Sequence, residues 1–229
     1  MAEFQGFPED LFRFFVDLAA HNERPWFQAQ RSRYDDSVVA PMRAFIVAMA
    51  PRLAAISAHY RADPRANGGS MFRIHRDVRF AKDKSPYKTH AACQFRHAAG
   101  RDAHAPGFYV HLAPGGLLFG GGIWRPPPAQ LALVRDRIAD SPRAWQALRD
   151  DPEIRRRGGI AGEGLARAPR GYDAGHPHVE DLKRKSLFVM ESAEPAAACR
   201  PDFPDRVDAA FRAAAPLARF VTEALDLPF

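Results

Sequence analysis

The apolar positions change period along the chain, helical towards both ends and alternating in the middle. Leu11, Phe14, Phe15 and Leu18 follow Pro8 at spacings of three and four, which predicts a helix with one buried face. Pro25 can open a second helix bearing Trp26 and Phe27. Met42, Phe45, Ile46, Met49 and Leu53 repeat the helical pattern after Pro41, with Pro51 expected to kink or break it. Such aromatic and methionine stripes read as core. A loop is predicted from Arg61 to Ser70, around Pro64 and Asn67-Gly68-Gly69.

From Phe72 the period becomes two. Phe72 and Ile74 alternate with Arg73 and His75, Cys93 and Phe95 with Gln94 and Arg96, and Phe108, Val110 and Leu112 with Tyr109 and His111. A further strand from Leu117 to Ile123 follows the Pro114-Gly115-Gly116 turn and closes a hairpin, and Leu187 to Met190 can add another. Pro126 to Pro128 mark the exit from the sheet. Leu131, Val134 and Ile138 predict a helix, and Ser141-Pro142 caps the next one, which holds Trp145 and Leu148. The Gly- and Arg-rich stretch from Arg155 to Pro177 predicts an irregular connection or an added ribbon. A last helical stripe runs from Val207 to Leu225, interrupted by Pro216. The expected fold class is α+β: an antiparallel sheet of about four to five strands with helices packed on one face. It is read as a single domain over residues 1–229, helical in 1–60, sheet in 70–125 and helical again in 126–229.

Composition narrows the class without naming a reaction. At 46% hydrophobic and 26% charged, the 229 residues exclude collagen-like, disordered and coiled-coil chains. The opening residues lack a basic n-region, and Pro41, Arg43, Pro51 and Arg52 interrupt the apolar stretch from Val38 to Ile56. Neither a signal peptide nor a membrane span is therefore expected, and the expected location is the cytoplasm. Cys93 and Cys199 are the sole cysteines and form no metal-ligand spacing.

Charge is more informative in its placement than in its total of +6. The segment from Arg61 to Arg101 holds ten basic and three acidic residues, a net +7, while the remainder of the chain sums to −1. Of five lysines, Lys82, Lys84 and Lys88 fall within seven residues. Within this segment Arg73, Arg76, Arg79, Lys84, Lys88 and Arg96 are candidate anion-binding groups, with the Tyr87 hydroxyl as an orienting donor. Guanidinium groups can clasp a phosphate or carboxylate in bidentate fashion, and lysines act as point charges. Asp77 and Asp83 would orient the cations. Alternatively the same residues tie a long loop together by ion pairs.

The run R-I-H-R-D-V-R-F-A-K-D-K-S-P-Y-K, with F-Q-G-F-P, N-E-R-P-W-F, A-P-G-F-Y-V-H-L and G-G-G-I-W-R-P elsewhere, resembles a bacterial and fungal family catalogued as domain of unknown function 2461. The likeness covers essentially the whole chain. Its hallmark falls on Arg73, Arg76, Asp77, Arg79, Phe80, Asp83, Lys84 and Tyr87, and it implies no activity.

Strand parity puts Arg73, His75, His90, Gln94, Arg96, Tyr109 and His111 on the sheet face opposite Phe72, Ile74, Cys93, Phe95, Phe108, Val110 and Leu112. Imidazoles beside cations can hold an anion and move protons near neutral pH, so His75, His111 and Asp77 are the catalytic candidates. No metal site is expected: these strands lack H-x-H and H-E-x-x-H, and neighbouring cations oppose a metal. His176-Pro177-His178 reads as structural, and Gly120-Gly121-Gly122 and Gly158-Gly159 as close packing or bulges, because neither completes a phosphate-loop motif. No cofactor is assigned, and no nucleophile elbow occurs. The leading expectation is a protein, enzymatic or not, that binds an anionic and preferably phosphorylated small molecule on the basic strand-loop motif. The alternatives are a nucleic-acid-binding module using the same patch, which interleaved Phe72, Phe80, Tyr87 and Phe95 would suit, or a structural interaction domain. No membrane partner is expected, and the oligomeric state is open.

Overall fold

The computed structural model describes residues 4–65, 68–100 and 103–229. Asn67 of the expected loop and Arg101 of the basic segment lie outside the described residues. Pro8 and the acidic Glu9 and Asp10 begin α1 (Glu9–Ala20), where carboxylates meet the positive end of the helix dipole, and Leu11, Phe14, Phe15 and Leu18 form its buried face. Short helices α2 (Arg24–Ala29) and α3 (Arg31–Tyr34) lead through a π-turn, Asp35–Val39, into α4 (Ala40–Ile56).

The run continues through Pro41, and Pro51, expected to kink or break the helix, does not break it. The Ala40 amide donates to the Asp35 carbonyl five residues back, so the helix is widened just where Pro41 lacks an N–H and needs room for its ring. The continuous run Arg31–Ile56 is long and apolar enough, by length and composition alone, to cross a membrane. Its apolar stripe is nonetheless spent inside the protein: Val38, Met42, Phe45, Ile46, Met49 and Leu53 are at most 1% exposed and belong to the core.

The sheet is an antiparallel meander in the order β1 (Ala91–Arg96), β2 (Gly107–Ala113), β3 (Gly116–Ile123) and β4 (Leu187–Ala193). Between β3 and β4 the chain forms α5 (Pro128–Asp140), α6 (Pro142–Arg149), α7 (Pro152–Arg156) and α8 (Val179–Leu182). Ser141 does precede α6, but its side chain makes no capping bond. Part of the expected irregular stretch pairs as a ribbon, with bridges Ala161 to Phe188 and Gly164 to Arg184. The C-terminal α9 (Phe203–Glu223) packs against β3 and β4 and runs unbroken through Pro216, because Ala214, Leu217 and Ala218 on either side are fully buried and hold the turn in place. One contiguous core extends from Phe4 to Val221.

The expected first strand is not a regular one. Residues 70–76 follow the edge of β1, with the Phe72 amide donating to Ala92 O at 2.9 Å and the Gln94 amide to Ser70 O at 2.8 Å, and then leave it to pair with Pro86 and Lys88. Two isolated bridges, Met71 to Cys93 and His75 to Tyr87, replace a ladder. A slip from β1 to a different partner ends the strict alternation, and Phe72 consequently lies on the open face with Tyr109, ring centroids 6.1 Å apart, instead of in the core.

Candidate functional site

Register fixes what the sheet offers on the side away from α9. Gln94 pairs with Tyr109 and Ala92 with His111 across β1 and β2. Tyr109 then pairs with Gly120, and His111 with Leu118, across β2 and β3. Gly120 and Gly122 pair in turn with Met190 and Phe188 of β4. Side chains on this face therefore rise at both sides of a glycine floor. Gly120 and Gly122 are demanded by the close approach of β4: a Cβ would stand 2.0 Å from Val189 O and 2.2 Å from Leu187 O, respectively.

The result is a pocket of about 520 Å³. Phe72, Leu118, Trp124, Phe188 and Met190 make its walls apolar, and Lys88, His90 and His111 gather at the polar end. Among the described residues no Asp or Glu lines it. Leu118 and Trp124 are 44% and 47% exposed, large apolar surface left open at the mouth.

The imidazoles of His90 and His111 face each other at 4.3 Å between centroids, and the Tyr109 hydroxyl is 3.2 Å from His111 Nδ1. Partial burial, then the neighbouring His111 and Lys88 charges, push His90 down to about 4; burial lowers His111 as well. Both are neutral at pH 7. Burial also raises the Tyr109 phenol to about 12, so it keeps its proton. The Lys88 ammonium donates to Arg73 O at 2.7 Å and lies 5.7 Å from the Phe72 ring centre; burial and then the nearby Arg73 charge lower it. Among the described residues no cluster of three His, Cys, Asp or Glu side chains can hold a metal.

The basic motif is divided by the fold. Arg76 pairs with Asp83, and Arg79 with Asp77 at 2.7 Å. The Lys84 ammonium donates to Val78 O at 3.0 Å, and Arg96 donates to Gly68 O at 2.8 Å. These four cations tie up their own loop and do not line the pocket. Arg73 is exposed beside Lys88 and has no side-chain partner among the described residues. Tyr87 is a core residue, its ring 4.2 Å from Phe27 and its backbone held on both sides by Asn22, so it is not placed to orient an anion. His75 is exposed, its ring tilted against that of Tyr87 at 5.4 Å, and Asp77 is in the exposed loop, so of the three catalytic candidates only His111 reaches the pocket. His178 Nε2 donates to Pro142 O, 3.0 Å away, at the start of α8. The apolar walls escaped the sequence because Trp124, Phe188 and Met190 look like ordinary core residues until β3 and β4 are paired.

Fold and pocket together define an α+β protein whose meander sheet is backed by helices and hollowed on its free face. The family model described as conserved hypothetical protein (DUF2461) matches residues 10–220, and the chain belongs to that family. Neither a curated protein nor a solved structure matches it.

Proposed function

We propose that the chain binds a small organic anion in the open-face pocket, its charged group at Lys88, His90 and His111 and its apolar body on the glycine floor towards Trp124. The observation that carries this reading is a pocket that, among the described residues, has an ammonium group, two imidazoles and no carboxylate at one end of a trough lined mostly by apolar side chains. Arg73, adjacent and without a side-chain partner among the described residues, supplies a further cation at the rim. A phosphorylated ligand suits this end best, because the charges available exceed what one carboxylate would neutralise. The two free thiols, one of them buried, fit a reducing, cytoplasmic setting.

A thermal-shift panel of aromatic and aliphatic phosphates and carboxylates tests the reading. Wild type and Arg79→Ala should be stabilised alike, while Lys88→Met loses the response; loss of a charge-assisted bond of about 1.5–3 kcal/mol corresponds to roughly ten- to hundredfold weaker binding. Equal responses in all three proteins, or none in wild type, would reject it.

A second reading, nucleic-acid binding, is favoured by one observation. The Phe80 ring is 95% exposed, and the Arg79 guanidinium is 5.9 Å from its centre.

A further inference from the structure

We infer that the pocket takes its anion together with a proton, which settles on the His90–His111 pair, and that the anion it accepts best carries two negative charges. The inference rests on the pocket reading above and deepens it. Two imidazoles whose centroids are 4.3 Å apart cannot both be charged in an apolar hollow that already holds an ammonium.

Among the described residues the elements around the pair add to the same balance. The edge segments bring Lys88 and, at the rim, Arg73; β2 brings the protonated Tyr109 phenol. The residues of β3 and β4 that line the pocket, among them Leu118, Phe188 and Met190, are not ionisable. Without a ligand the pair is neutral, since its charged form finds burial and positive neighbours but, among the described residues, no counterion. A monoanion is matched by Lys88 alone. A dianion leaves one negative charge over inside the hollow. Arg73, exposed to water at the rim and not part of the lining, answers it only through solvent, and the nearest group able to answer it within the pocket is an imidazole, which takes a proton from solvent. No bond in the ligand is made or broken, and the proton comes from the buffer.

Phenyl phosphate and benzoate are suitable probes, sharing an apolar ring and differing in charge. Titration calorimetry at pH 7.2 in bis-Tris and in Tris, both cationic and so not competitors, reads the proton count from the difference in apparent enthalpy. Trp124 fluorescence reports occupancy independently. Phenyl phosphate should take up close to one proton and bind roughly tenfold or more tightly than benzoate. Its affinity should weaken as pH rises through the range in which the bound pair gives its proton back.

In His90→Gln/His111→Gln the proton uptake should vanish, and His90→Asn/His111→Asn should show the same loss if that variant does not fold. Binding of phenyl phosphate with no buffer dependence would overturn the inference and leave the pocket reading standing. Uptake that persists without the histidines would also overturn it, since the proton would then sit on the ligand. Benzoate binding as tightly as phenyl phosphate would remove the preference for a dianion. No binding of either probe, with unchanged fluorescence, would overturn both readings.

Discussion

At the scale of single residues, His90 sets the response to acid. Its folded-state value of about 4 lies below the ordinary 6.5, with partial burial the largest cause. Between those two values the unfolded chain holds a proton on His90 that the folded chain refuses, so stability is complete above about pH 6.5 and declines as pH falls towards 4. His111, lowered in the same direction, adds to the decline. A series of melting temperatures from neutral to acidic pH should therefore be flatter for His90→Gln than for wild type, and superimposable profiles would refute this. Tyr87 makes a contrasting case. Its ring packs on Phe27, and among the described residues its hydroxyl has no hydrogen-bond partner. Urea unfolding should find Tyr87→Phe close to wild type and Tyr87→Ala destabilised by about 3–5 kcal/mol, the range for removing a buried aromatic ring. A large effect of Tyr87→Phe would show that the hydroxyl is used after all.

At the scale of elements, the pocket depends on β3 lying unusually close to β4. Gly122 has φ of +146°, and Gly120 and Gly122 have no room for a Cβ against the β4 backbone. Gly122→Ala should cost roughly 1–3 kcal/mol for the backbone conformation alone, read by chemical denaturation. Gly115→Ala in the β2–β3 turn, where a Cβ meets nothing within 4 Å, is the control and should be near neutral. Equal stability of the two variants would mean that β4 can retreat and that the floor is not rigid. The helices α1 and α4 and the strand β2 were legible because a single face of each is buried: Leu11, Phe14, Phe15 and Leu18 recur at helical spacing, and Phe108, Val110 and Leu112 at every second position. Parity also placed Gln94, Tyr109 and His111 together, since pairing across β1 and β2 preserves alternation. It misplaced Phe72, where the chain exchanges one partner for another and alternation no longer reports a face. Local sequence also says nothing of Phe188 and Trp124, whose rings meet at 5.6 Å only because β4 returns to β3 after the intervening helices.

At the scale of the whole molecule, the question is how much of the +7 concentrated between Arg61 and Arg101 remains available to a polyanion. Arg76, Arg79, Lys84 and Arg96 are engaged with carboxylates or carbonyls of their own loops, and Lys88 turns to the pocket. Arg61, Arg73 and Lys82 are the cations of that segment without a side-chain partner among the described residues. Three phosphate contacts to a single strand give a slope of log affinity against log salt of roughly −2, which leaves binding weak at low salt and negligible by about 0.15 M. Fluorescence anisotropy with a labelled single-stranded oligonucleotide, titrated across sodium chloride concentrations, measures that slope directly. Binding that saturates at physiological salt with a much steeper slope, and that Phe80→Ser abolishes, would mean that the loop ion pairs open to receive phosphates and that the exposed ring stacks on a base. The nucleic-acid reading would then displace the pocket reading. The shallow slope is expected instead, because each guanidinium handed to a phosphate must first give up a carboxylate two to seven residues away that chain connectivity keeps within reach.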